Sequence, residues 1–198
     1  MEYIYEIPNL IDDAVCDDII NKFESDTRKR PGAIGSGTID ETIKKSTDLY
    51  ISNLKNWSHV DGYLYNRIGE GLKYYMKHLE EELSVAWDTI WARTIFENIS
   101  DTGYQIQRVD KNGFYKWHYD SNVNVNENRH IAVIFYLNTL NCSEGGSTDF
   151  MLCNNRVSIR PEKGKVIFFP VAWPFLHSGT PVLSSTKSKY IITTFLKG

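Results

Sequence analysis

Two regimes of hydrophobic patterning divide the chain. In the first half, apolar residues recur at three- and four-residue steps. From about Ile11 to Phe23, Val15, Ile19, Ile20 and Phe23 fall on one face, and acidic residues come early, where a helix dipole favours them. A longer stretch, from about Trp57 to Leu83, repeats the spacing through Val60, Leu64, Ile68, Leu72, Tyr75, Leu79 and Leu83, which predicts an amphipathic helix. Between them, residues 28–42 (RKRPGAIGSGTIDET) read as a Gly-rich polar surface loop, either an inert connector or a lid over a site.

The second half reads as strands. Gln105–Val109, Arg129–Leu137, Lys165–Phe169 and Tyr190–Leu196 are rich in β-branched or aromatic residues and bounded by turn residues. Residues 131–137 (IAVIFYL) are almost continuously apolar, as expected of a strand covered on both faces. There is no internal repeat. Helices followed by many short strands predict an α+β fold, with helices bracing one face of a barrel or sandwich.

Composition narrows the class. A chain of 198 residues, 41% hydrophobic, is long enough for one well-buried domain. Its net charge of −3 with 24% charged residues excludes a basic nucleic-acid clamp and a highly charged disordered tail. Cys16, Cys142 and Cys153 form no CxxC pair, which argues for a reducing compartment rather than a disulfide framework. The start, MEYIYEIPNLIDD, lacks the basic and apolar regions of a signal peptide, and no window approaches a membrane span. The expectation is a soluble, cytoplasmic, single-domain protein, monomeric or weakly dimeric, with no nucleic-acid or membrane partner.

His118 and Asp120 in FYKWHYDSN stand at i and i+2, a spacing that turns both side chains to one face of a strand or its frayed end. With His177 in PFLHSGTPV they make up the two-histidine, one-carboxylate set that leaves open positions on Fe(II). The same ligands also suit a hydrolytic zinc. Lys189, at the start of KYIITTFL, could pair with the far carboxylate of a dicarboxylate bound to the metal. Strand alternation places Lys189, Ile191, Thr193 and Phe195 on one face. Lys187 and Lys189 also read as solvated edge charges.

HYD at 118–120, RHIAVIFYLN at 129–138, EGGSTDF at 144–150, RPEKGKVIFFP at 160–170, and LHSGTPV followed by KSKY at 176–190 resemble, in order, the catalytic half of prolyl 4-hydroxylase-type Fe(II)/2-oxoglutarate dioxygenases. The resemblance implies a double-stranded β-helix (jelly roll) over about 104–197, with about 1–100 as helical support and first strands of a single domain. It implies His118, Asp120 and His177 as iron ligands, and Lys189 as the partner of the 2-oxoglutarate distal carboxylate, helped by Tyr136 and Thr193. Tyr115 would lie beside the co-substrate and peptide, Arg129 would face the peptide, and Gly145, Gly146 and Thr148 would shape the site wall.

Three positions depart from the family pattern or leave it open. Arg108-Val109 stands where many relatives have Arg-Tyr, and Ala132 where they often have Thr. Lys187 fits the commoner family spacing from His177, whereas strand phase favours Lys189. The implied activity uses Fe(II), 2-oxoglutarate and dioxygen, with ascorbate as reductant, to hydroxylate proline in a peptide or protein and release succinate and CO2. Tyr115, Trp117 and Trp173 are candidates for a surface that receives an extended Pro-rich peptide, or else core and rim residues. The alternatives are the same chemistry on lysine, a free amino acid or a nucleobase, a non-catalytic jelly-roll binding module, and a zinc hydrolase.

Overall fold

The computed structural model describes residues 3–35, 37–83, 96, 99–121 and 128–198. Both amphipathic patterns are helices. α1 spans Asp13–Ser25 and buries Cys16, Ile19 and Phe23. α2 spans Ser58–Leu83 and is entered through a short 3-10 turn at Lys55–Trp57. Its buried stripe is Val60, Leu64, Ile68, Tyr75 and Leu79, the three- and four-residue spacing seen in the sequence. At Gly71 α2 lies so close to the sheet that a Cβ would stand 2.8 Å from the Phe168 ring.

Among the described residues thirteen strands follow the order β1 (Tyr5–Ile7), β2 (Arg30–Pro31), β3 (Lys44–Lys45), β4 (Thr47–Tyr50), β5 (Ser100–Asp101), β6 (Gln105–Val109) and β7 (Phe114–His118). Then come β8 (Arg129–Tyr136), β9 (Thr148–Leu152), β10 (Asn155–Ile159), β11 (Val166–Pro170), β12 (Leu176–Gly179) and β13 (Lys189–Lys197). They form an eight-stranded sheet, β1-β11-β8-β13-β6-β4-β2 with β5 beside β13, and a five-stranded sheet, β10-β9-β12-β7-β3. All named pairings are antiparallel.

The larger sheet is covered on both faces, which explains the unbroken apolar run in β8. Ile131, Val133, Phe135 and Leu137 pack with the helices, together with Val166, Phe168, Ile192 and Leu196. Ala132, Ile134 and Tyr136 turn the other way, joining Ile167, Phe169 and Ile191 against Phe150 and Ile159 of the smaller sheet. This is the α+β jelly roll braced by helices that the sequence predicts. Strands β1 to β5, β7, β9, β10 and β12 carry no strong strand pattern. β10, for example, reads NRVSI and returns from β9 through Cys153 and Asn154, both at positive φ.

No helix among the described residues is long and apolar enough to cross a membrane. Cys16, Cys142 and Cys153 are all free thiols. The 28–42 segment holds β2, whose two residues Arg30 and Pro31 pair with β4 and tie that part of it to the sheet edge. Ser36 within it lies outside the described residues.

Candidate metal and co-substrate site

β7 and β12 are neighbours in the smaller sheet, with His118 opposite His177 and Tyr115 opposite Gly179. Between these pairs β7 contains one more residue than β12, a bulge that lets Tyr115 and His118 both face inward. Their rings stack at 3.6 Å with an interplanar angle of 20°. Asp120 stands in the bend just past the end of β7.

His118 Nδ1 lies 2.7 Å from the Lys116 carbonyl oxygen, and His177 Nδ1 lies 3.0 Å from that of Phe175. Each Nδ1–H donates to its carbonyl, which fixes the tautomer and leaves the Nε2 lone pair for a metal. His118 Nε2 is 3.6 Å from Asp120 Oδ1, and His177 Nε2 is 3.3 Å from Asp120 Oδ2. One ligand atom from each residue can be chosen so that all three lie within 4.8 Å of one another. Two imidazoles and one carboxylate on one side of an open cavity are the donor set for Fe(II). Burial, reinforced by His177, lowers the His118 pKa to about 4 and keeps that ring neutral. Burial opposes the charged form of Asp120, but His177 and His118 outweigh it and hold the carboxyl below its ordinary value.

The cavity, of about 1110 Å³, runs from this set to Lys189. Lys189 is 3% exposed, and its Nζ stands 3.5 Å from Thr148 Oγ1 and 5.6 Å from the centre of the Tyr136 ring. Burial, partly countered by Asp149, lowers its pKa to about 8. Lys187 points out to solvent and pairs with Glu144 at 3.1 Å. The strand phase therefore selects the inward lysine. Lys189, Ile191, Thr193 and Phe195 all line the cavity.

The other predicted residues fall as follows. Arg129 lines the cavity with its guanidinium 4.0 Å over the Phe195 ring. Tyr136 is fully buried, and its hydroxyl donates to Thr148 Oγ1 at 2.7 Å, so it sits beneath the lysine and is not part of the wall. Thr193 Oγ1 accepts from Gln107 Nε2 at 3.0 Å. Trp173 is 73% exposed in the turn between β11 and β12 and is not among the cavity residues. Val109 and Ala132, the two departures, both line the wall. Arg108 points elsewhere, to Glu24 at 2.9 Å.

Lys44, Tyr50, Gln105 and Gln107, which sequence reasoning passed over, complete the cavity together with Ala33 and Ile34 from the segment it offered as a connector or a lid. The period-two spacing of Gln105 and Gln107 in a predicted strand was the one available signal.

The family model of the 2OG-Fe(II) oxygenase superfamily matches residues 104–197. No curated protein sequence gives a significant match. Among solved structures, a prolyl-4-hydroxylase from Pseudomonas putida aligns with a TM-score of 0.72 at 14% identity, over 100% of this chain and 94% of that one. A viral collagen prolyl hydroxylase from Paramecium bursaria Chlorella virus-1, in a 2OG complex, gives 0.68 at 22% identity, over 99% and 96%. A Trichoplax adhaerens prolyl hydroxylase, in complex with a hypoxia inducible factor oxygen degradation domain peptide fragment, gives 0.73 at 17% identity, over 100% and 84%. At such identities the structures speak for the fold, and the family match speaks for the segment that holds the cavity's histidines, carboxylate and lysine. Residues 104–197 therefore match the 2OG-Fe(II) oxygenase superfamily, and the chain as a whole shares the fold of the prolyl hydroxylases.

Proposed function

We propose that the chain hydroxylates proline in a peptide or protein, with release of succinate and CO2. In this reading His118, Asp120 and His177 hold Fe(II), and Lys189 binds the far carboxylate of 2-oxoglutarate. The observation that carries it is Lys189, a fully buried cation in the same cavity as a two-histidine, one-carboxylate set. A zinc hydrolase or a plain binding module has no use for such a group, whereas a dicarboxylate chelated at the metal does.

Bound iron, with 2-oxoglutarate and dioxygen, supplies the oxidising chemistry, and ascorbate serves as its reductant. The protein's part is geometric and electrostatic. The Lys116 and Phe175 carbonyls fix both imidazole tautomers. Tyr115 lies flat against His118 and limits water on that side. Thr148 and Tyr136 orient the ammonium of Lys189. Beyond the metal set, Tyr50, Gln105, Gln107 and Thr193 give a hydrogen-bonding stretch of wall that suits peptide amides, alongside the cations Lys44, Arg129 and Lys189. The peptide bound to the Trichoplax relative supports the same substrate class.

The test is succinate formation from 2-oxoglutarate under air, with Fe(II) and ascorbate, across a panel of proline-containing peptides. Peptide-stimulated succinate with a gain of one oxygen on proline is expected. Succinate that no peptide stimulates would refute the peptide substrate.

A further inference from the structure

One buried ion pair beside the cavity, with Lys44 in its wall, is not used by that reaction. Lys44 Nζ and Asp48 Oδ2 are 2.7 Å apart, with side chains 4% and 6% exposed. Lys44 belongs to β3, the edge of the smaller sheet, where it pairs with Tyr115. Asp48 belongs to β4 of the larger sheet, where it pairs with Gln107 on one side and Arg30 on the other. The pair thus joins the two sheets beside the cavity.

Its remaining contacts all lead to the Gly-rich segment or to Tyr115. Lys44 Nζ donates to the Ala33 carbonyl at 3.4 Å and lies 5.5 Å over the Tyr115 ring. Asp48 Oδ1 accepts from Ser46 Oγ at 2.7 Å, and the Ser46 carbonyl accepts from Gly32 N at 2.9 Å. Gly32 packs so closely on this group that a Cβ would stand 2.2 Å from Ser46 Oγ and 3.0 Å from both Asp48 Oδ2 and Lys44 Cε. Ala33 and Ile34, which follow it, form the cavity roof.

A buried ion pair contributes little net stability, because desolvation offsets the attraction. What it supplies is a fixed geometry. We propose that Lys44 and Asp48 are positioning residues: they clamp the Gly32–Ile34 backbone over the cavity and thereby set the affinity for the substrate peptide. The effect on peptide rests on the function proposed above, but the clamp itself does not. Among the described residues Lys44 makes no hydrogen bond or ion pair to His118, Asp120, His177 or Lys189, so its removal acts first on the Gly32–Ile34 side and reaches the metal set only through Tyr115.

The experiment compares the wild type with two variants. Lys44→Met/Asp48→Leu removes the pair without leaving a buried charge. Gly32→Ala keeps both charges but forces Ser46 away from Gly32, at a residue whose φ an alanine tolerates. Amide hydrogen exchange is read at Gly32 and Ile34, and KM is measured separately for peptide and for 2-oxoglutarate. Both variants should speed exchange at these amides and raise the peptide KM, each by roughly tenfold, with the 2-oxoglutarate KM within about twofold. Unchanged exchange in the charge-free variant would overturn the clamp. Faster exchange with an unchanged peptide KM would overturn its role in affinity. If the wild type turns over no peptide, the proposed function fails, and exchange still decides the clamp.

Discussion

Replacing Lys189 by Met removes the cation at one end of the cavity while keeping a side chain of similar length against Tyr136 and Thr148. Truncating one partner of a buried, hydrogen-bonded charge pair costs about 2–5 kcal/mol. The Thr148 hydroxyl remains to meet the carboxylate, which favours the lower half of that range. At about 3 kcal/mol, the KM for 2-oxoglutarate should rise on the order of 100-fold. Lys187→Ala is the matched control. It removes an exposed pair with Glu144 worth about 0–1 kcal/mol, and should leave that KM within about fivefold.

Stability should move the opposite way in Lys189→Met. Burial takes the Lys189 pKa from 10.5 to about 8, so between these values the unfolded chain holds more protons than the folded one. The charged lysine therefore destabilises the fold fully below pH 8, by an upper bound of roughly 3 kcal/mol, and this cost fades as pH rises. The apo variant should melt higher than wild type at neutral pH. A 2-oxoglutarate KM that is unchanged, or that shifts equally in Lys187→Ala, would refute the assignment.

The same lysine gives a pH signature: above about pH 8 the 2-oxoglutarate dissociation constant should climb toward tenfold per unit, measured by calorimetry, and a flat profile to pH 9.5 would count against it. Arg156→Ala should cost about 1–3 kcal/mol in urea denaturation, because Asp149 is 0% exposed and would lose its guanidinium partner, keeping the Ser147 hydroxyl at 2.7 Å. Phe168→Ala should cost about 3–5 kcal/mol by the same assay, since the ring is fully buried and stacks on Tyr75 at 5.6 Å.

What the sequence disclosed follows from how each element is buried. α1 and α2 each bury one stripe, so their periodicity was plain, and β8 is apolar because both its faces are covered. The period of two along β13 chose Lys189 over Lys187, against the family spacing, because strand phase is a local property. Lys44 and Asp48 stayed hidden for the opposite reason: their burial depends on two sheets meeting, and no local pattern encodes that. The bulge that brings Tyr115 onto His118 likewise arises from the unequal count between β7 and β12.

The central claim is that iron bound by His118, Asp120 and His177 drives 2-oxoglutarate turnover. Its most direct measurement is metal content together with succinate and CO2 release for wild type and Asp120→Ala, each purified without iron and reloaded with Fe(II). The account predicts one iron per chain and matched succinate and CO2 in the wild type, with both lost in Asp120→Ala. Iron-loaded wild type that leaves 2-oxoglutarate intact, or Asp120→Ala that consumes it at the wild-type rate, would contradict the account.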